Sequence, residues 1–152
     1  MGKENNYSKM AMFILVVLRL IIGYHFLYEG TTKLFNTNWT AAPFLLQADW
    51  IFSGLFHSIV NNQTLLSAVN ILNIWGQIFI GIGLIIGLFS SVSAIFGAIL
   101  ILLYYIAVPP FMNGALFIDR NLLEIFTLLI LFLFPTSNII GMDYLIEKFW
   151  KS

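Results

Sequence analysis

The sequence predicts an all-α fold, namely an integral membrane four-helix bundle with a short amphipathic helix in the long loop between helices 1 and 2. Hydrophobic residues make up 60% of the 152-residue chain and charged residues only 9%, whereas soluble domains contain roughly 25% charged residues. Several segments are apolar over the roughly 20 residues that a membrane-spanning helix needs. The alternation of apolar and polar residues that marks a membrane barrel strand is absent from the sequence. We therefore expect one transmembrane domain covering residues 1–152.

The four predicted spans are separated by short turns, except after the first. They cover residues 10–28, 65–89, 92–108 and 122–140. Pro109 and Pro110 end the third span because proline cannot continue a helix, and Pro135 interrupts the fourth. The first span contains Arg19, exceeds the apolar region of a signal peptide and has no small-x-small cleavage site after it. We expect it to be a retained helix.

The long loop between the first two spans, residues 35–64, contains its own amphipathic pattern. Phe44, Ile51, Leu55 and Ile59 recur at roughly helical spacing, and tryptophans typical of a membrane interface accompany them. This pattern predicts a short helix that lies flat on the membrane or plugs the mouth of the bundle. We expect the loop to be ordered.

The distribution of lysine and arginine predicts the orientation of the chain. The N-terminal tail contains Lys3 and Lys9, and the C-terminal tail contains Lys148 and Lys151, whereas the loops on the other side contribute only Lys33 and Arg120. Because cytoplasmic segments are enriched in these residues, we expect both termini in the cytoplasm. The protein would then be a multi-pass protein of the cytoplasmic (inner) membrane. The amphipathic C-terminal tail would rest on the inner leaflet.

Charge and cysteine content exclude several classes of function. The formal net charge is zero, so no basic surface indicates binding to nucleic acid. The chain has no cysteine, which excludes disulfides, thiolate nucleophiles and cysteine-ligated clusters. Two histidines, His25 and His57, are too few to predict a metal site.

Polar residues inside the first span share one helix face. Arg19, Gly23, Phe26, Gly30 and Lys33 all lie within roughly 40° of one line at 100° per residue. Glycines on this face allow a neighbouring backbone to approach closely, so the arginine is expected to point into protein. The alternative is a packing face with a charge that extends to the membrane surface.

The polar residues of the other spans supply partners for this face. We expect Gln77 to hold Arg19 at a similar depth, with Glu124 on the external side. Two alternatives remain: the amides of the second span are interhelical hydrogen-bonding groups only, and Glu124 forms a capping box with Asn121. The predicted ligand-binding residues are Arg19, Glu29, Lys33, Asn73, Gln77 and Glu124. The catalytic candidates are Arg19, His25 and Glu124. With Tyr104, Tyr105 and phenylalanines as flat apolar walls, such a cavity suits a small amphipathic ligand such as quinone.

Four stretches in order along the chain carry a family resemblance: RLIIGYHFLYEGTTKL, GQIFIGIGLIIGLFSSVSAIFGAILILLYY, PPF and IDRNLLEIFTLLILFLFPTSNIIGMD. Together they cover about residues 13–143 and resemble the DoxX/DoxD family of small four-helix integral membrane proteins. Gln77 stands where the second helix of this family often has a glutamate. The long tryptophan-containing loop resembles the DoxD branch, which is associated with the membrane subunit of a thiosulfate:quinone oxidoreductase.

The resemblance implies a membrane subunit of a redox system that binds quinone and takes part in electron transfer of the thiosulfate:quinone type. A second small subunit would be its partner, so catalysis by this chain alone is not expected. The alternative is a membrane scaffold without chemistry of its own that anchors a redox or detoxification enzyme. A transporter is the least favoured hypothesis, because four helices without an internal repeat make a poor alternating-access device. The glycine faces would permit a homodimer.

Overall fold

The computed structural model describes residues 9–113 and 116–150, and the regular structure in these ranges is helical throughout. Seven α-helices are present in the described ranges: α1 Lys9–Phe35, α2 Ala42–Leu45, α3 Ser53–Asn61, α4 Gln63–Ile86, α5 Ser90–Ala107, α6 Arg120–Leu133 and α7 Met142–Trp150. Two short 3-10 turns, Pro110–Asn113 and Thr136–Asn138, follow α5 and α6. The all-α prediction is confirmed.

Four segments are long and apolar enough to cross a membrane. They are α1, α4, α5 and the stretch Arg120–Asn138, which combines α6 with the 3-10 turn after it. The second and third predicted spans agree with α4 and α5 to within three residues. The first predicted span ends at residue 28, whereas helix α1 continues to Phe35. The fourth helix does not continue to residue 140, since α6 ends at Leu133, two residues before Pro135.

Close approach of two backbones sets the register between α1 and α4. A Cβ atom added to Gly81 would lie 2.5 Å from the backbone nitrogen of Leu27, and one added to Gly30 would lie 2.8 Å from Cγ1 of Ile78. Gly23, earlier in α1, meets Leu84, later in α4. The two helices are therefore antiparallel and packed through glycine, as the small-residue face of α1 predicts. α5 packs against α4 on one side and α6 on the other.

The turn between α4 and α5 is closed by a residue from the far end of the chain. Gly87 ends α4 in the left-handed conformation, with φ of 69°, which glycine adopts without steric cost. The Asp143 carboxylate accepts hydrogen bonds from the backbone N–H groups of Phe89 (2.8 Å) and Ser90 (3.4 Å) at the start of α5. We call this end of the bundle, where the α4–α5 turn meets the segment from Thr136 to α7, the turn end.

The opposite end, which we call the loop end, is covered by the segment between α1 and α4. This segment forms two short helices, α2 and α3, where the sequence predicts one. Leu45 of α2 and Phe56 of α3 are buried, together with Ala107 at the end of α5. The segment is thus packed against the bundle, in agreement with the prediction that it plugs the mouth. The predicted amphipathic tail forms α7; Lys151 lies outside the described residues.

Candidate ligand-binding site

The predicted polar cluster separates into two groups at different levels of the bundle. Arg19 lies at the turn end, and Lys33 lies fourteen residues later on α1, about 21 Å away at 1.5 Å per residue. The sequence analysis placed both residues in one cavity. In the structure the two residues have different surroundings.

At the turn end, Arg19 joins α1 to the segment after α6. Its guanidinium donates to the Thr136 hydroxyl (Nη1 to Oγ1, 3.1 Å) and to the Ile140 backbone carbonyl (Nη2 to O, 2.8 Å). The side chain is only 3% exposed. The prediction that Gln77 holds Arg19 is wrong. Arg19 faces protein, as its helix face predicts. Its hydrogen bonds connect α1 to the segment after α6, which is a structural role.

Near the loop end, Lys33 is the centre of the second group. Its Nζ donates to Oε1 of Gln77 (2.8 Å) and to Oδ1 of Asn73 (3.1 Å), and it lies 4.0 Å from Oε2 of Glu29. Asn73 and Gln77 are almost fully buried, whereas Glu29 is 40% exposed. The amides that the sequence assigns to the neighbourhood of Arg19 therefore solvate the lysine. A charge inside the bundle requires partners of this kind.

Two aromatic rings complete the surroundings of the Lys33 ammonium. Its Nζ lies 5.2 Å from the centre of the Trp39 ring and 5.6 Å from that of Tyr104, within the range of cation–π attraction. The Tyr104 hydroxyl also accepts a hydrogen bond from Nδ2 of Asn73. The sequence analysis treated Tyr104 as flat apolar surface and Trp39 as an interface residue. The sequence does indicate a polar role for Tyr104, because a phenol inside a membrane span normally has a hydrogen-bond partner.

A cavity of about 600 Å³ opens beside this group, between the loop-end segment and helices α4 and α5. Its polar end is formed by Lys33, Asn73 and Tyr104, and Trp39 stands beside them. The remaining walls are mostly apolar side chains: Phe44, Leu45, Phe52, Leu55, Phe56, Ile59, Val69, Leu72, Leu100, Leu103 and Ile106. The volume falls inside the range of roughly 300–1,000 Å³ that small-molecule sites occupy. Of the six predicted ligand-binding residues, Lys33 and Asn73 line this cavity.

His25 and Glu124 form a separate pair inside the bundle. Nε2 of His25 lies 3.7 Å from Oε1 of Glu124, and the two side chains are 35% and 7% exposed. Within the described residues, this Glu124 oxygen is buried without a hydrogen-bond partner. The capping-box interpretation is wrong, because Asp119 is the N-cap of α6 and accepts from the Leu122 backbone N–H. Glu124 is the fifth residue of α6 and faces α1 instead of capping the helix.

In the part of the chain that the structure describes, no cluster of three or more histidine, cysteine, aspartate or glutamate side chains has the arrangement of a metal site.

Comparison with known proteins gives one positive result. The DoxX family model matches residues 14–110, which include α1 to α5 apart from the first residues of α1. Comparisons with curated proteins and with solved structures gave no match.

Proposed function

This chain belongs to the DoxX family, and on that premise we propose that it is the membrane subunit of a redox system and binds quinone in the cavity beside Lys33. The observation that carries the proposal is a mostly apolar cavity of about 600 Å³ with a lysine ammonium in its wall. Membrane quinones combine a flat ring bearing two carbonyl acceptors with an apolar tail. The cavity combines polar side chains, which suit the quinone carbonyls, with apolar walls, which suit the ring and the tail.

Donors for a quinone carbonyl are present at the polar end. Lys33 has three N–H groups, and the two amide oxygens it contacts account for two of them. Tyr104 accepts its hydrogen bond from Asn73, so in the described part of the chain its own O–H is free to donate. Trp39 and Phe44 offer aromatic surface for the quinone ring, and Phe44 itself packs edge-on against Tyr104 at 5.6 Å. The residues therefore fit the headgroup of a quinone.

A bound quinone would supply two-electron, two-proton chemistry, and this chain's contribution is to bind and orient it. His25 and Glu124, whose Nε2 and Oε1 lie 3.7 Å apart in the same bundle, are the proposed proton-exchanging groups. Because the chain has no cysteine, thiol chemistry on a sulfur donor such as thiosulfate would require a second subunit. A small soluble or membrane redox protein is therefore part of the proposal. The proposal also includes location in the inner membrane with both termini in the cytoplasm.

The test is quinone binding by the purified protein in lipid nanodiscs. A quinone with a decyl tail is added, the discs are captured, and the quinone retained is measured after subtracting that in empty discs. We expect saturable binding to the wild type and at least tenfold weaker binding to Lys33→Met. A hydrogen bond to a charged group contributes about 1.5–3 kcal/mol, and 1.4 kcal/mol is about tenfold in affinity.

The matched control is Lys9→Met, which removes an exposed lysine from the same helix and should leave binding unchanged. Thermal unfolding of each variant shows whether the fold has survived. Wild-type protein that retains no more quinone than empty discs would overturn the proposal. If a soluble enzyme then co-purifies with the gently extracted protein, the result favours the alternative, a non-catalytic scaffold that anchors a partner enzyme.

A further inference from the structure

Part of the cavity wall is also part of the outer surface of the bundle. Leu72 of α4 is 71% exposed and Leu103 of α5 is 50% exposed, although both line the cavity. Leu55 of α3, another lining residue, is 61% exposed. The cavity wall therefore includes exposed leucines on α3, α4 and α5, and those of α4 and α5 belong to helices long and apolar enough to span a membrane. We call Leu72 and Leu103 the gate leucines.

The position of the gate leucines along their helices shows which medium they face. Leu72 is the tenth residue of α4, about 14 Å from its start at 1.5 Å per residue. Leu103 lies four residues before the end of α5. Both belong to segments with the length and hydropathy of membrane spans, so these two exposed side chains face hydrocarbon. Exposed leucine is the expected surface in that medium.

Part of the cavity wall is closed by buried residues of the loop-end segment. Ala41 and Leu45 around α2 and Phe56 of α3 are all less than 9% exposed, and they pack as one cluster with Ala107 of α5. The Asn70 side chain holds this segment in place by accepting from the Ala41 backbone N–H at 2.8 Å. These buried residues close part of the loop-end side of the cavity, whereas the exposed lining leucines Leu72 and Leu103 lie on helices of membrane-spanning length.

We infer that the site takes a bilayer-dissolved amphiphile with a long hydrocarbon tail, which enters laterally between α4 and α5 and keeps its tail in the gap between the gate leucines. The inference rests on the proposed function and names the class of quinone: tailed and membrane-resident, as opposed to a small water-soluble one. The headgroup lies at the Lys33 end, and the tail points to the lipid. Binding of a tailed ligand then depends on side chains that never touch its headgroup.

The experiment narrows the gap while leaving the headgroup end intact. Leu72→Trp and Leu103→Trp each add bulk at the opening. The matched controls are Ile71→Trp and Leu102→Trp, because these neighbours are 59% and 42% exposed on the same helices and do not line the cavity. The nanodisc assay is run with two quinones that share a dimethoxy-methyl headgroup, one with a decyl tail and one without a tail.

We expect each gate variant to bind the decyl quinone at least tenfold more weakly than the wild type and to bind the tailless quinone within threefold of it. The control variants should match the wild type for both. Unchanged decyl-quinone binding in the gate variants would overturn the inference, as would an equal loss of both quinones. In either case binding of both quinones by the wild type leaves the proposed function standing. A wild type that binds neither quinone removes the proposed function itself.

A second measurement needs no variant. A quinone with a photoreactive diazirine at the end of its tail, cross-linked to the wild type in nanodiscs, should label residues of α4 and α5 around the gate leucines. Labelling confined to the loop-end segment, α2 and α3, would place the tail on the water-facing side and contradict lateral access.

Discussion

At the scale of single residues, the two cations of α1 perform different tasks. Arg19 donates to two oxygens of the segment after α6 and thereby ties the start of the bundle to its end. Lys33 is solvated by two amides and two rings beside a cavity. Arginine suits the first position because its planar fork reaches two acceptors at once, and lysine suits the second because its compact ammonium can present a further N–H to a ligand.

Replacement of Arg19 should therefore affect stability and leave binding intact. Arg19→Leu leaves the Thr136 hydroxyl and the Ile140 carbonyl without their donor, and a buried polar group without a partner costs about 1–3 kcal/mol. We expect a lower thermal unfolding temperature, with a smaller decrease for Arg19→Lys, which keeps the charge and loses the fork. Quinone affinity of the folded fraction should equal that of the wild type. A stable Arg19→Leu protein without quinone binding would show that Arg19 belongs to the site.

Residue types and helix faces could be predicted from the sequence, whereas pairing could not. Lys33, Asn73 and Gln77 were placed correctly on inward faces, because polar side chains in a span avoid lipid. The predicted partner of Arg19 is wrong, because the depth of Arg19 depends on where the first helix ends, and α1 continues to Phe35 beyond the predicted end at residue 28. The structure aligns Gln77 with Gly30 and Lys33. A shift of about three to four helical turns along α1, from Arg19 to Gly30 and Lys33, decides which cation meets which amide. Helix periodicity contains no information on that shift.

At the scale of helices, the contact between α1 and α4 determines the alignment of the site. Gly81 meets backbone atoms of α1 on both sides: its hypothetical Cβ would lie 2.5 Å from the Leu27 nitrogen and 2.8 Å from the Gly23 carbonyl oxygen. Backbone atoms cannot move aside as a flexible side chain does. The glycine therefore sets the distance between the two helices, and with it the reach of Lys33 to Asn73 and Gln77.

Gly81→Ala should push α1 and α4 apart and lower both stability and quinone affinity. Gly76 on the same helix is the control, because an added Cβ there meets no atom within 4 Å. Gly76→Ala should be neutral or stabilising by up to about 0.5–1 kcal/mol, the helix preference of alanine over glycine. Thermal unfolding of the two variants measures the difference. Equal stability of the two proteins would mean that the close approach does not govern the packing.

The length of α1 shows why one boundary was missed. The sequence analysis ended the first span at residue 28, where charged residues begin with Glu29. In the structure Glu29 and Lys33 are one helical turn apart, with side chains 4.0 Å from each other, and the helix continues to Phe35. A hydropathy scale counts each charged residue as unfavourable inside a membrane. Here Lys33 pairs with Glu29 and with two amides of α4, which lowers the cost of keeping its charge in the bundle.

At the scale of the whole molecule, the two ends of the bundle differ in construction. The turn end is fastened by polar contacts between distant parts of the chain, including the Asp143 bonds to the start of α5 and the Ser90–Ser137 hydrogen bond of 2.6 Å. The loop end is a packed apolar layer above a cavity. Polar contacts between distant parts of the chain join one end, whereas the other end carries the cavity to which the proposed ligand would bind.

Which end faces the cytoplasm remains a prediction from the lysines of the tails, and the structure supplies the two positions that test it. Asn61, the last residue of α3, is exposed at the loop end, and Lys148 is exposed in α7 at the turn end. Because the chain has no cysteine, Asn61→Cys and Lys148→Cys each introduce a single thiol. In intact cells an impermeant thiol reagent should label the first and should label the second only after permeabilisation. The opposite pattern would reverse the molecule and place the proposed quinone headgroup site near the cytoplasmic surface. An electron donor on the far side of the membrane could then not reach the site, because a span of about 30 Å of hydrocarbon would separate them.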